Sequence, residues 1–292
     1  MVMGNIILKA RAKINLSLNV LPERGAHGYY HVRFINTQAE LSDSLSIASS
    51  DTPGIRINQQ LVDNEENLAC RAARIIMERY RIRKGIEMTI EKHIPSRAGL
   101  GGGSADAGAV INAMASLFRI QLPGEERNEI AQMLGMDVCY CVIGGLCTVG
   151  GIGERVERLR STLPSLTMLI ATPPERKPST GWAYSLLRED EMGKCLERYD
   201  ALLEGIEHAD FKKITENLHN DFELPIGRHY PIIRSMKETM LEEGALGALL
   251  AGSGLSVFGI FGDTRSRQRA VEKLEAAGAL CFKTETISQC GS

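Results

Sequence analysis

A chain of 292 residues can bury enough apolar surface for one large domain or two medium ones. Its 34 basic and 36 acidic residues leave a formal net charge of −2, which gives no electrostatic reason to expect nucleic acid or an anionic membrane surface as partner. No apolar run approaches the roughly 20 residues that span a bilayer. The near-neutral charge makes a small-molecule substrate the expected partner, and the sequence leaves monomer and homodimer both open.

Seven cysteines (Cys70, Cys139, Cys141, Cys147, Cys195, Cys281 and Cys290) form no C-x-x-C pair, and the opening "MVMGNIILKARAKINL" contains no apolar stretch of the signal-peptide kind. Both features predict a reduced, cytoplasmic protein. Cys139, Cys141 and Cys147 stand close together, but without a neighbouring histidine they read as small buried hydrophobes and not as metal ligands.

Along the chain, "NIILKARAKINLSLNV" (5–20) alternates apolar and polar residues as a half-buried strand does, and "FINTQAELSDSLSIASS" and "GIRINQQ" predict further strands. "NEENLACRAARIIMERYRI" has the spacing of an amphipathic helix. "GIEMTIEKHI" (85–94) alternates again and leads into "IPSRAGLGGGSADAG" (94–108), after which 104–118 predicts a helix with Ser104 as N-cap. A short charged helix over 123–135 is followed by Asp137 at the head of an apolar run. A new strand begins near "STLPSLTMLIATPP", which places a domain boundary around 160–166. The second half reads as α+β: helices "TGWAYSLLRED", "DALLEGIEHADFKKITENLHNDF" and "YPIIRSMKETMLEEG", then the glycine turn of "GALGALLAGSGLSVFGIF" between strands. Trp182 and Tyr184 are expected in a helical core.

Five glycines in fifteen positions at a strand-to-helix junction have a specific chemical use. Without Cβ atoms the backbone N–H groups can converge on an anion, and the helix behind adds its own unpaired amides. The Walker A pattern fails for want of a lysine after the glycines. The dinucleotide G-x-G-x-x-G fails because Gly101, Gly102 and Gly103 are consecutive and no acidic residue follows about twenty positions on. The glycines alone leave a phosphate loop and a merely tight turn equally open.

The neighbouring motifs add a resemblance. "PSRAGLGGGSADA" is similar to the phosphate-binding motif of the GHMP kinases, the superfamily of galacto-, homoserine, mevalonate and phosphomevalonate kinases. "AKINLSLNV", "GYYHVRFINTQAELSDSL", "GMDVCYCVIGG" and "GALLAGSGLSVFGIF" resemble, in order and spacing, motifs of the branch acting on a cytidine diphosphate-linked polyol. The resemblance implies a two-domain α+β fold, with a ribosomal protein S5 domain 2-like ATP-binding domain at 1–162 and a ferredoxin-like substrate-binding domain at 163–292.

It also implies an ATP-dependent alcohol phosphotransferase. The expected reaction phosphorylates the 2-hydroxyl of a methylerythritol carried on cytidine diphosphate, in the non-mevalonate route to isoprenoids. Asp137 matches the family's catalytic aspartate and Lys13 the lysine of its A-K-[IL]-N-L motif. Pro95, Ala98, Gly99, Leu100, Gly101, Gly102, Gly103, Ser104 and Asp106 are implied to hold ATP. Asn15, Tyr29, Tyr30, Gly252, Ser253 and Gly254 are implied to hold the acceptor. Mg²⁺ is expected from the chemistry, since clustered phosphates need countercharge, although no complete ligand set is visible.

The chain departs from the family at several positions, Ser96 in place of a valine among them. Tyr30 replaces a histidine, Ala105 a serine, and Cys139 and Tyr140 a Pro-Phe pair. Arg97 stands where glycine is usual, either to contact phosphate or to point into solvent where no glycine conformation is needed. The alternatives are another small-alcohol kinase of the superfamily and a nucleotide-binding homologue without catalysis.

Overall fold

In this computed structural model the described residues are 5–25, 28–58, 60, 61 and 67–287. Cys290 lies outside them. In chain order the elements are β1 (Asn5–Arg24), β2 (Tyr30–Ser50), β3 (Ile55–Ile57), β4 (Gln60–Leu61), α1 (Leu68–Arg79), β5 (Gly85–Glu91), α2 (Gly102–Leu117), α3 (Gly124–Leu134), α4 (Met136–Ile143), β6 (Cys147–Gly150), β7 (Arg155–Arg158) and β8 (Thr167–Thr172). There follow α5 (Thr180–Ser185), α6 (Leu196–Glu207), α7 (Phe211–Glu216), β9 (His219–Asn220), α8 (Glu223–His229), α9 (Pro231–Glu242), β10 (Ala245–Leu250), β11 (Val257–Phe261), α10 (Thr264–Ala276) and β12 (Leu280–Glu285). The described residues divide between two compact units, the first drawn from 1–12, 42–96 and 101–144 and the second from 13–41, 97–100 and 145–292.

In the first unit the strand order is β4-β3-β5-β2-β1. β5 runs antiparallel to the end of β2, from Ser44↔Glu91 to Ser50↔Gly85, and parallel to β3. Its alternation works as predicted: Ile86, Met88 and Ile90 are buried while Glu87, Thr89 and Glu91 are exposed. α1 starts at Asn67, whose side chain accepts from the amides of Ala69 and Cys70 at 3.0 and 3.1 Å. α2 packs against α1 and α4 through small residues. A Cβ on Gly108 would stand 2.8 Å from the Cys141 carbonyl carbon and 2.9 Å from the Val142 nitrogen, so glycine sets the distance between α2 and α4. Cys70 and Cys139 are buried here as small apolar fillers.

In the second unit, β9 pairs in parallel with β1 (Ser17↔His219, Leu18↔Asn220), and the start of β2 pairs with β6, which pairs with β7. A four-stranded antiparallel sheet has the order β10-β11-β8-β12. α9 packs on β10 and β11, and α10 on β8, β11 and β12. All five residues of β11 are buried, as a central strand requires. Cys147 is buried too, and burial pushes its thiol up to about 11.

Two sequence expectations are revised. The helix expected over "TGWAYSLLRED" lasts only six residues, and Trp182 and Tyr184 are half-buried on it, outside the core. The long helix expected over 200–222 breaks into α6, α7 and the short strand β9, because Ala209 takes a left-handed conformation (φ 52°) and Asp210 caps a new helix at the Lys213 amide. No helix among the described residues is long and apolar enough to cross a membrane. For the helix contact, Gly108→Ala is expected to cost about 1–3 kcal/mol by overpacking, read as a lowered urea midpoint at unchanged m-value.

Candidate active site

The glycine stretch forms its turn through three left-handed residues: Arg97 (φ 59°), Gly99 (φ 90°) and Gly101 (φ 67°). α2 begins at Gly102 and no side chain caps it. Ser104 lies inside the first turn and is not the N-cap, a correction to the expected helix start. The reason is that left-handed Gly101 ends the turn and takes the N-cap position, three residues before Ser104. An uncapped helix start presents its first amides to whatever anion approaches, with the helix dipole favouring negative charge. Ala98 and Leu100 bury their side chains, Gly103 is exposed, and Pro95 and Ser104 are half-buried. Arg97 is exposed yet keeps the glycine-type conformation, so the idea that this position needs no such conformation is overturned.

The loop rests on a second glycine turn. A Cβ on Gly99 would lie 1.9 Å from the Ala251 carbonyl oxygen, and one on Gly254 would lie 2.1 Å from the Ala98 carbonyl group. Gly252 is left-handed (φ 54°), and a Cβ there would come 2.7 Å from the Gly99 oxygen and 3.3 Å from Asn15 Oδ1. Ser256 donates its amide to the Ala98 carbonyl at 3.4 Å, and Lys13 donates its amide to the Leu100 carbonyl at 2.9 Å. Asn220 braces the same turn, donating from Nδ2 to the carbonyls of Leu250 and Gly252 at 2.8 and 2.7 Å. Lys177, buried, donates to Ser253 Oγ at 3.1 Å. The "AGSGLS" segment is thus a hairpin tip that docks backbone to backbone on the first loop.

Strand β1 carries Lys13, Asn15, Ser17 and Asn19 on one face and Ile14, Leu16, Leu18 and Val20 on the other. Both faces are buried, which the alternation alone did not distinguish from a half-exposed strand. Lys13 retains 5 % exposure and Asn15 none. Asn15 donates to Asn36 Oδ1 at 2.6 Å, while its own Oδ1 has no partner within the protein. A buried acceptor left open in this way is costly unless a ligand or water completes it. Asp137 is exposed in the first turn of α4, where the helix dipole favours a carboxylate.

Tyr29 is 56 % exposed. Tyr30 lies nearly parallel to Tyr184, with ring centroids 6.4 Å apart and planes 8° apart, and Tyr184 meets Phe222 edge-on at 4.9 Å. The Arg24 guanidinium lies over the Tyr30 ring at 4.0 Å and also donates to Gly28 O and Tyr30 Oη. His31 packs instead beside Gly25 and Ile152.

The sequence reading missed Asp43 and Lys92. Asp43 is fully buried, and its Oδ1 accepts the amides of His93 and Ile94 at 2.6 and 2.8 Å. Lys92 Nζ bonds Asp43 Oδ2 and, at 2.6 Å, Asp106 Oδ2. The available signal was periodicity: Asp43 shares a strand face with Leu45 and Ile47, an odd place for a carboxylate. Arg24, Tyr184, Lys177 and Asn220 carried no comparable signal.

Residues 67–145 match the family described as GHMP kinases N terminal domain, and residues 201–280 match GHMP kinases C terminal. Together with the glycine cradle, these matches show that the chain belongs to the GHMP kinases. The chain is 37% identical over 273 residues to the 4-diphosphocytidyl-2-C-methyl-D-erythritol kinase of Caldicellulosiruptor bescii, covering 92% of this chain and 93% of that one. It is 36% identical over 290 residues to the same-named protein of Acetivibrio thermocellus, covering 98% and 100%. Within the class it belongs to the 4-diphosphocytidyl-2-C-methyl-D-erythritol kinase family. A solved 4-(cytidine 5'-diphospho)-2C-methyl-D-erythritol kinase superposes with a TM-score of 0.80 at 29% identity, covering 96% of this chain and 99% of that one. Homoserine kinase from Cytophaga hutchinsonii, at 21% identity with a TM-score of 0.78 and coverage of 100% and 97%, shares the fold.

Two predictions follow from this geometry. Gly254→Ala is expected to push the two loops apart and raise KM for ATP in steady-state assays. Separately, burial pushes the Asp106 carboxyl up to about 6, a rise that Lys92 opposes and the Asp43 charge reinforces. The folded state therefore keeps a proton that an unfolded carboxyl has already lost. Stability falls as pH rises from about 4 to about 6 and then levels, by up to about 3 kcal/mol at ~1.36 kcal/mol per unit. Urea titrations across pH 4–8 are expected to lose this slope in Asp106→Asn.

Proposed function

We propose that this protein transfers the γ-phosphoryl group of ATP to the 2-hydroxyl of 4-diphosphocytidyl-2-C-methyl-D-erythritol, in the non-mevalonate route to isoprenoids. The observation that carries the reading is the uncapped, glycine-led start of α2, held in a chain that matches kinases of that name over nearly its whole length. An amide cradle without Cβ atoms fits a nucleotide's phosphates. A magnesium ion is expected with the nucleotide: it is held largely by phosphates and water with only one or two carboxylates, and among the described residues no group of three or more acidic, histidine or cysteine side chains would hold it without the phosphates. Bound with ATP, it supplies countercharge to the phosphate oxygens.

The chain's own residues do the rest. Asp137 accepts the proton of the 2-hydroxyl as phosphoryl transfer proceeds, and the Lys13 ammonium orients the hydroxyl oxygen and offsets negative charge on the phosphoryl group. Pro95, Ala98, Gly99, Leu100, Gly101, Gly102, Gly103 and Ser104 hold the phosphates, chiefly through backbone groups. Asn15 Oδ1 accepts from the polyol. Gly252, Ser253 and Gly254 lie against it with only hydrogen or a hydroxymethyl as side chain, and Tyr29 contributes beside Tyr30. The parallel faces of Tyr30 and Tyr184 suit a pyrimidine, with stacking worth about 1–3 kcal/mol per base in nucleic-acid complexes. Tyr30 supplies an aromatic face where the family has a histidine, and does not reproduce the hydrogen bonding of an imidazole. On this reading residues 1–162 make up the ATP-binding domain and 163–292 the substrate-binding domain, and the reaction belongs to the cytoplasm.

The test is ADP release across the cytidylyl compound, mevalonate, homoserine and galactose. Turnover of the cytidylyl compound at the highest kcat/KM is expected. Preference for another alcohol refutes the substrate, and no turnover with any refutes the kinase. Asp137→Asn and Lys13→Ala are each expected to lower kcat by about 10²–10⁴-fold, with thermal melting near the wild type. Near-normal turnover in either variant removes that residue from the mechanism.

A further inference from the structure

The Asp43–Lys92–Asp106 cluster lies outside the groups that act on the substrate, and its placement gives it a use. Asp43 projects from β2 and grips the two amides at which β5 turns into the glycine stretch. Asp106 projects from the beginning of α2, where the same stretch ends. Lys92 bonds both carboxylates, so a single ammonium ties the entrance of the phosphate loop to its exit. The start of the helix presses on this tie: a Cβ on Gly102 would lie 3.1 Å from Ile94 Cγ2 and 3.7 Å from Asp43 Oδ2.

The burial is uneven in a telling way. The side chain of Asp43 has no exposure and that of Asp106 has 8 %, while the side chain of Lys92 keeps 43 %. Sinking two carboxylates for one half-solvated ammonium is a poor route to stability, because the desolvation cost of each charge offsets much of the attraction. What the arrangement provides is geometry, since charge-assisted bonds at both ends fix the spacing of a loop otherwise rich in freely rotating glycines. Direct contact of Asp106 with ATP is disfavoured, because its Oδ2 is occupied by Lys92 and a carboxylate repels phosphate.

We infer that Asp43, Lys92 and Asp106 are positioning residues that hold the glycine loop in its ATP-binding conformation. This rests on the kinase reading above. The clamp reduces the ordering left to be done when ATP binds, so its loss appears in ATP binding while acceptor binding is unaffected.

The experiment measures ATP binding by calorimetry with a non-hydrolysable analogue, and KM for ATP and for the acceptor by ADP release, in wild type, Lys92→Met, Lys92→Arg and Asp43→Asn. Lys92→Met is expected to weaken ATP binding about tenfold or more, the scale of one charge-assisted contact, with the acceptor KM within about twofold. Lys92→Arg is expected to recover most of the loss, because guanidinium can bridge the same carboxylates. If Asp43→Asn fails to fold, the two Lys92 variants, altered at a half-exposed head group, decide the matter. Wild-type ATP affinity in Lys92→Met overturns the inference. So does a loss that Arg does not rescue and that spreads equally to the acceptor KM. A wild type that binds no ATP overturns the kinase reading and this inference with it; binding in the wild type, equalled by every variant, overturns the inference alone.

Discussion

The site depends on a contact between two stretches of bare backbone. Ala98 and Gly99 lie so close to Ala251 and Gly254 that a single Cβ on either glycine would fall about 2 Å from a carbonyl group. Such an approach excludes side chains on both sides and fixes the first loop against a hairpin tip braced by Asn220. Once that contact is made, the amide of Lys13 reaches the Leu100 carbonyl, and the polar face of β1 follows from the register of the strand. Glycine is needed at these positions for space as much as for rotation, since Gly254 has no positive φ while Gly99 has one.

A second constraint is electrostatic. The molecule buries Lys13, Asn15, Ser17, Asn19, Asn36, Asp43 and Asp106, groups that ordinarily stay at the surface. Burial of unpaired polar groups costs free energy that the apolar core has to offset, and the open Oδ1 of Asn15 shows that pairing within the protein is incomplete. Such arrangements persist where a ligand supplies the missing partner. The Asp43–Lys92–Asp106 tie belongs to the same economy: it holds a glycine-rich segment in one shape before any nucleotide arrives.

Arg97 shows how these constraints combine. It occupies a left-handed conformation that costs an L-residue roughly 1–2 kcal/mol relative to the right-handed form, between the Ser96 turn and the docked Ala98. The docking of Ala98 and Gly99 on the hairpin tip holds the backbone next to it, and the loop keeps a glycine's dihedrals without a glycine. The substitution of Tyr30 for histidine is different in kind. Its ring gains a parallel partner in Tyr184 and a cation in Arg24, two residues remote from it or unremarkable in sequence.

The sequence by itself determined the local structure and the class. Alternation located β1, β2 and β5, the glycine run located the loop, and the order of five motifs was specific enough to name the kinase family. Those signals are local, carried by neighbours two to four positions apart or by fixed spacing. Tertiary structure decided that the polar face of β1 is buried, that "AGSGLS" docks on Ala98–Gly99, that Trp182 and Tyr184 lie outside the core, and that Asp43 reaches His93 and Ile94. Each of these joins residues about fifty or more positions apart, or turns on what covers a face. Periodicity states which residues share a side of a strand; only the packing of distant segments decides whether that side meets water, protein or substrate.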